Sequence, residues 1–378
     1  MEGRLSRRRV IGYGLGGIAL LGPATGAGVR RAMAQSEPET VLYVSNAGGP
    51  EIYVMRMNRA TGDLDVIEKV KVPADKPSPT SMPLALSPDH RFLYAAMRSE
   101  PFTVASFGID QATGKLSHIA NAPLTASMAY VTTNRTGKWL LCASYPNSVL
   151  TVNAIGSDGR IESPAKQTVQ NQPKAHSIIL DGANKYAYSA ILGADHIMQM
   201  KFDAMHGTLT PNEPPTISTK AGAGPRHLRL HPSGKFLYVI TETTATIGAY
   251  AVDKDKGTLT ELQFVETLPA EFKGEVSAAD LQVTPDGKFL YGSERETSTL
   301  TGFRIDPDKG TLSPVGRFDT EKTPRGFAID PRAKFLYAVG LDSNAMTAYA
   351  IDPQSGALKP LKQYTMGAMP NWIEFMDL

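Results

Sequence analysis

His176, Arg226, Glu242, Arg295 and Arg325 supply an imidazole, a carboxylate and three guanidiniums. Guanidinium forks recognise carboxylates and stabilise a developing oxyanion. A histidine or a glutamate beside them can move the proton that such chemistry needs, and the residue types alone leave His176 and Glu242 as equal candidates for that part. Each residue also has an ordinary reading: an Arg–Glu pair can tie neighbouring units together, and a lone histidine can fill a hydrogen-bonded niche. The set points to a site, because arginines crowded together are costly without an anion between them. The seven histidines show no metal-ligand spacing. His-Glu-x-x-His, Gly-x-Ser-x-Gly and phosphate-binding glycine loops are all missing. No metal and no cofactor is expected.

A repeat brings these distant residues into register. One landmark is a turn followed by a strand, as in His231-Pro232-Ser233-Gly234-Lys235-Phe236-Leu237-Tyr238 and Thr284-Pro285-Asp286-Gly287-Lys288-Phe289-Leu290-Tyr291. A second, Asp-x-x-x-Gly-x-Leu or a close variant, places glycines at 62, 114, 159, 207, 257, 310 and 356. Each glycine follows its strand landmark by 18 to 20 residues, and the units recur about every 49 residues. Within each unit, β-branched and aromatic runs are cut by Pro, Gly and Asp turns, with room for four short strands. Seven such units predict an all-β fold, a seven-bladed β-propeller. The first unit lacks its innermost strand, and residues 369–375 form an orphan one. Pairing of this C-terminal strand with the N-terminal blade is expected to close the ring and remove exposed sheet edges.

Successive strands of a blade are antiparallel, so the start of strand one and the end of strand two share a face around the central channel. His176, Arg226, Arg325 and Asn371 stand at the first position, with His227, Asp280 and Trp372 one residue later in their units. Arg98, Tyr145, Glu242 and Arg295 stand at the second. A purely structural ring would repeat its residue type at such positions, as the glycines do. Asp195-His196 reads as a turn, His206 as solvent-exposed, and Cys142 as a small buried hydrophobe.

The 378 residues are 42% hydrophobic and 20% charged, an ordinary globular balance. The 34 glycines and 27 prolines fit a turn-rich chain, and a single cysteine excludes an intrachain disulfide. Residues 1–34 read as an export leader of the twin-arginine type. Arg7, Arg8 and Arg9 precede a mildly apolar run from Ile11 to Gly22, and Ala32-Met33-Ala34 offers a cleavage site. That run of 12 residues is too short to span a bilayer. The leader holds six basic residues and one acidic one, leaving 33 basic against 36 acidic residues in the mature chain. A nucleic-acid partner therefore loses its support. Residues 35–378 are expected to form a single soluble domain in the periplasm or outside the cell, with the twin-arginine machinery as a partner during export.

The segment Gly222-Ala223-Gly224-Pro225-Arg226-His227-Leu228-Arg229-Leu230-His231-Pro232-Ser233-Gly234-Lys235, set within seven units, resembles the seven-bladed lactonase family. That family includes the propeller-type 6-phosphogluconolactonases and the fungal carboxy-cis,cis-muconate lactonizing enzymes. The resemblance runs from about Val41 to Phe375. It implies a catalytic set of His176 (in Ala-His-Ser), Arg226 (in Gly-Pro-Arg-His), Glu242 and Arg295, with His227, Arg325, Asn371 and Arg98 as candidates for binding a small lactone. The neighbours of the set depart from the family pattern. Thr241-Glu242 stands for Asn-Glu, Ser293-Glu294-Arg295 for Ser-Asn-Arg, Gly326 for His in Pro-Arg-His-Phe, and Lys174 for a common His. The implied activity is metal-independent hydrolysis of a sugar-type lactone. Muconate-type lactonization and a non-catalytic binding propeller are the alternatives.

Overall fold

Runs such as Phe236–Thr241 are apolar without alternation because the strands they form are buried on both faces, between two neighbouring sheets. The outermost strands are mostly exposed or half-buried instead, as Leu312–Asp319 is, with one face in solvent. The computed structural model describes residues 39–378, which form 28 strands in seven four-stranded antiparallel sheets. In the fifth blade the strands run outward from the channel as Pro225–Leu230, Phe236–Thr241, Thr246–Asp253 and Thr258–Glu266. Pro370–Asp377 pairs antiparallel with Thr40–Asn46 and becomes the innermost strand of the first blade, closing the ring as the sequence predicts. The expected leader, residues 1–34, lies outside the described residues. Among the described residues no helix is long and apolar enough to cross a membrane. Cys142 is buried in the strand Trp139–Ser144, with its thiol pushed up to about 12 by burial.

The two sequence landmarks meet as one contact between blades. Tyr238 donates its hydroxyl proton to the carbonyl of Gly310 at 3.0 Å. Tyr43, Tyr291 and Tyr337 do the same to Gly114, Gly356 and Gly62 at 2.7–2.9 Å. Gly310 has φ +70°, and a Cβ there would overlap the Phe236 ring of the preceding blade. Gly310→Ala is therefore expected to cost about 2–4 kcal/mol, from left-handed backbone strain and overpacking together. Urea denaturation followed by circular dichroism measures this, and an unchanged midpoint would contradict the interlock.

Candidate active site

The register positions converge on one pocket. Thr80, Arg98, Tyr145, His176, Glu242, Arg295 and Arg325 line a cavity of about 190 Å³. Arg98, Tyr145, Glu242 and Arg295 each directly follow a second strand, and Arg325 directly precedes a first one. His176 and Arg226 sit in β-bulges. Pairing skips from Ala175 to Ser177 in one blade and from Pro225 to His227 in the next, so each of the two is the unpaired residue. A bulge re-aims the side chain it carries. The loop that delivers Arg226 is held from the previous blade. Both oxygens of Asp195 accept backbone N–H bonds, from Gly222 at 2.7 Å and Gly224 at 2.8 Å.

Arg226 lies behind the pocket wall rather than in it, only 1% exposed. Its Nε donates to Glu242 Oε2 at 2.8 Å and its Nη1 to the Ala279 carbonyl. Arg295 Nη2 lies 3.1 Å from the same Glu242 oxygen, and its Nε donates to the Ser277 carbonyl at 2.8 Å. Glu242 is thus clamped between guanidiniums of two adjacent blades. Burial alone would raise its pKa, but Arg226, Arg295 and Arg325 together hold it below the ordinary carboxylate range. Arg226 is also drawn down, to about 10, because desolvation and the Arg295 charge exceed what Glu242 returns. Both members of the pair are charged at neutral pH.

Arg98 is fixed by hydrogen bonds from Nη1 to Ser81 Oγ at 2.9 Å and from Nε to Ser127 Oγ at 3.3 Å. Arg325 makes no side-chain hydrogen bond or ion pair among the described residues. Burial and the charges of Arg226, Arg295 and Arg98 all depress its guanidinium pKa. Four guanidiniums against one carboxylate leave a strongly electropositive pocket that favours an anion or an anionic transition state. His176 is equally affected: burial, and then the neighbouring Arg226, His227, Arg325 and Arg98, hold its imidazole well below the ordinary value. It is neutral at pH 7. Its Nδ1 is buried and unpartnered, which leaves Nε2 as the nitrogen towards the pocket.

Two expected binding residues are placed elsewhere. His227 lines a second, larger cavity of about 370 Å³ within the channel, along with Arg229, Asp280, Trp372 and Glu374. Arg325 borders both cavities. Asn371 also borders the larger one, but its polar atoms join strands at the ring closure. Its Oδ1 accepts from Met82 N at 2.9 Å and Ser45 Oγ at 3.3 Å, and its Nδ2 donates to the Met369 carbonyl at 2.7 Å. Thr80 escaped the sequence reading because it lies in a connection between blades, outside the repeat register. Tyr145 shares the position of Arg98 and packs edge-on against His176, with ring centroids 5.7 Å apart. His206 is exposed in its turn, paired with Asp203 at 2.7 Å.

The family model described as "Lactonase, 7-bladed beta-propeller" matches residues 36–375. The 6-phosphogluconolactonase of Serratia proteamaculans (strain 568) is 34% identical over 289 residues, spanning 76% of this chain and 84% of that relative. The 6-phosphogluconolactonase of Yersinia pestis (strain Pestoides F) is 32% identical over 332 residues, spanning 88% and 96%. Among solved structures, the periplasmic gluconolactonase of Pseudomonas aeruginosa superposes with a TM-score of 0.80 at 25% identity, over 90% of this chain and 99% of that one.

Proposed function

The chain belongs to the seven-bladed β-propeller lactonase family, and from that premise we propose that it hydrolyses a sugar-type lactone, an unphosphorylated aldonolactone, in the periplasm. One observation carries the reading. A neutral His176, with Nε2 towards the cavity, shares it with Arg98, Arg295, Arg325 and a single carboxylate, Glu242.

In this reaction water attacks the lactone carbonyl carbon and its proton passes to His176 Nε2. The carbonyl oxygen becomes an oxyanion held by Arg295 and Arg325. Collapse breaks the ring C–O bond, and the departing alkoxide takes the proton back from His176. The new carboxylic acid gives up its remaining proton to solvent, and the carboxylate rests against Arg98 and Arg325 before release. The arginines depress the histidine's basicity in the empty pocket. The oxyanion offsets that field as it forms, so proton uptake by His176 is favoured at the moment it is required. Glu242, already ion-paired, holds Arg226 and Arg295 in place rather than serving as the base. Arg226 acts from behind the wall, and Asn371 holds the ring closure rather than the reacting groups.

The leader pattern supports export, and the Pseudomonas neighbour is named for periplasmic gluconolactone chemistry. Phosphorylated sugars are mainly cytoplasmic, so an exported enzyme meets the unphosphorylated lactone. The test is hydrolysis of glucono-δ-lactone and 6-phosphogluconolactone by the periplasmic fraction and by purified mature protein, with and without chelator. The expected result is turnover in that fraction, insensitive to chelator and faster on glucono-δ-lactone. A preference for the phosphorylated lactone, or activity confined to the cytoplasm, overturns the aldonolactone reading. No rate above spontaneous hydrolysis on either overturns lactone hydrolysis itself and turns attention to muconate-type ring closure or a non-catalytic propeller.

A further inference from the structure

Two ring nitrogens near the partition between the cavities are buried without hydrogen-bond partners: Nδ1 of His176 and Nε2 of His227. Their rings are neighbours, with centroids 5.1 Å apart and planes tilted by 59°. A buried polar atom left unpaired is destabilising, and native structures keep few of them. Two on adjacent rings point to a shared purpose.

The far side of His227 is fully determined. Its Nδ1 lies 2.8 Å from Asp280 Oδ1. The same oxygen accepts from Leu281 N at 2.9 Å, Oδ2 accepts from Gln282 Nε2 at 3.1 Å, and Arg229 Nη2 stands 3.6 Å away. Burial would favour the neutral acid, but Arg229, His227 and Gln282 together hold the Asp280 carboxyl below its ordinary range. An ionised carboxylate only accepts hydrogen bonds, so His227 carries its proton on Nδ1 and presents a lone pair at Nε2. Burial and the Arg226 charge hold His227 down to about 3, so it stays neutral. An acceptor at His227 Nε2 beside His176 Nδ1 matches a donor there.

We propose that Asp280 and His227 are positioning residues for His176: they fix its proton on Nδ1 and leave Nε2 as the unprotonated nitrogen towards the pocket. The inference rests on the reading of His176 as the base. The two rings make no formed hydrogen bond in the empty site, but the lone pair at His227 Nε2 already favours a proton on the neighbouring His176 Nδ1 over one on Nε2. The contact closes when His176 takes up its second proton, as catalytic hydrogen bonds tighten in the reacting complex. The imidazolium is then stabilised through His227 by the Asp280 carboxylate, and both protons stay on His176 until the alkoxide takes one back.

The groups facing these residues bound the pH test. Arg98, Arg226, Arg325 and Tyr145 surround His176, from four different blades. Arg226, Arg229, Tyr130 and Trp372 surround His227. Trp372 Nε1 donates to Glu374 Oε1 at 2.9 Å, and burial pushes Glu374 up to about 7. Glu374 is therefore the neighbour whose titration falls near neutrality, and Glu374→Gln is the control.

Asp280→Asn and His227→Asn in the mature protein test the relay. His227→Asn retains an N–H towards Asp280 but has no counterpart of Nε2, so it separates the relay from the fold. Both variants should lower kcat on the order of 10–100-fold with KM nearly unchanged. In Asp280→Asn the acid limb of kcat/KM should move to lower pH, because losing the carboxylate charge weakens proton binding at His176. In both, ¹⁵N resonances of His176 should change from a single Nδ1–H tautomer to a mixture. If Asp280→Asn does not fold, His227→Asn decides. A His227→Asn enzyme with wild-type kcat and an unchanged His176 tautomer overturns the relay. Full turnover in His176→Ala overturns instead the reading of His176 as base.

Discussion

His176→Ala should lower kcat by about 10²–10⁴-fold while the ring remains folded, the span a positioned general base typically contributes. The side chain is almost fully buried, yet its Nδ1 makes no protein hydrogen bond, so removal orphans no partner. The loss of packing against Tyr145 and His227 lowers stability without touching the interlocks between blades. The pH dependence of the wild-type enzyme has a definite sign. A base must be neutral to act, so kcat/KM rises with pH through the histidine's pKa and is level above it. Because that pKa lies well below 6.5, the plateau should extend through neutrality far into the acid range. Initial rates corrected for spontaneous hydrolysis, in wild type and variant across that range, provide the check. An acid limb near 6.5 would mean that burial and the arginines do not act on the reacting histidine. Near-normal turnover in the variant would remove His176 from the chemistry.

The fold was legible because its two repeating landmarks are opposite sides of one contact. In four of the seven blades the landmark tyrosine donates to the left-handed glycine of the next, as Tyr238 does to Gly310, so the two landmarks recur in register. The position of the pocket was legible for a related reason. Antiparallel strands of fixed length return to the same face, so Arg98, Glu242 and Arg295 at the ends of second strands meet His176 at the start of a first. Side-chain direction was not legible. Arg226 and His227 are consecutive, yet one points behind the wall to Glu242 and the other towards Asp280. A bulge at Arg226 separates them, and hydrophobic periodicity carries no sign of a single unpaired residue. Asn371 occupies a similar bulge, where its amide links Met82 N, the Ser45 hydroxyl and the Met369 carbonyl at the ring closure. Asp195 reads locally as a turn, and only the structure shows that the turn holds the glycine loop in front of Arg226.

Glu242→Leu should be the most damaging change to stability at the site, costing about 3–5 kcal/mol, because it leaves Arg226 buried with no carboxylate beside it. Activity should fall with it, since Arg295 loses the carboxylate that holds it in the pocket wall. The electrostatic origin can be separated from packing by pH. A carboxyl whose folded pKa is depressed contributes stability that is fully present above its unfolded value, near 4.5, and is lost as pH falls through the folded value. The wild-type advantage over Glu242→Gln should therefore be constant at neutral pH and shrink only below about 4.5. Paired urea titrations of the two proteins from pH 7 to pH 3 measure that difference directly. A gap that stays constant down to pH 3 would assign the loss to shape rather than charge. It would also mean that the guanidiniums around the pocket do not depend on Glu242, and the role given to it in aligning Arg226 and Arg295 would fall.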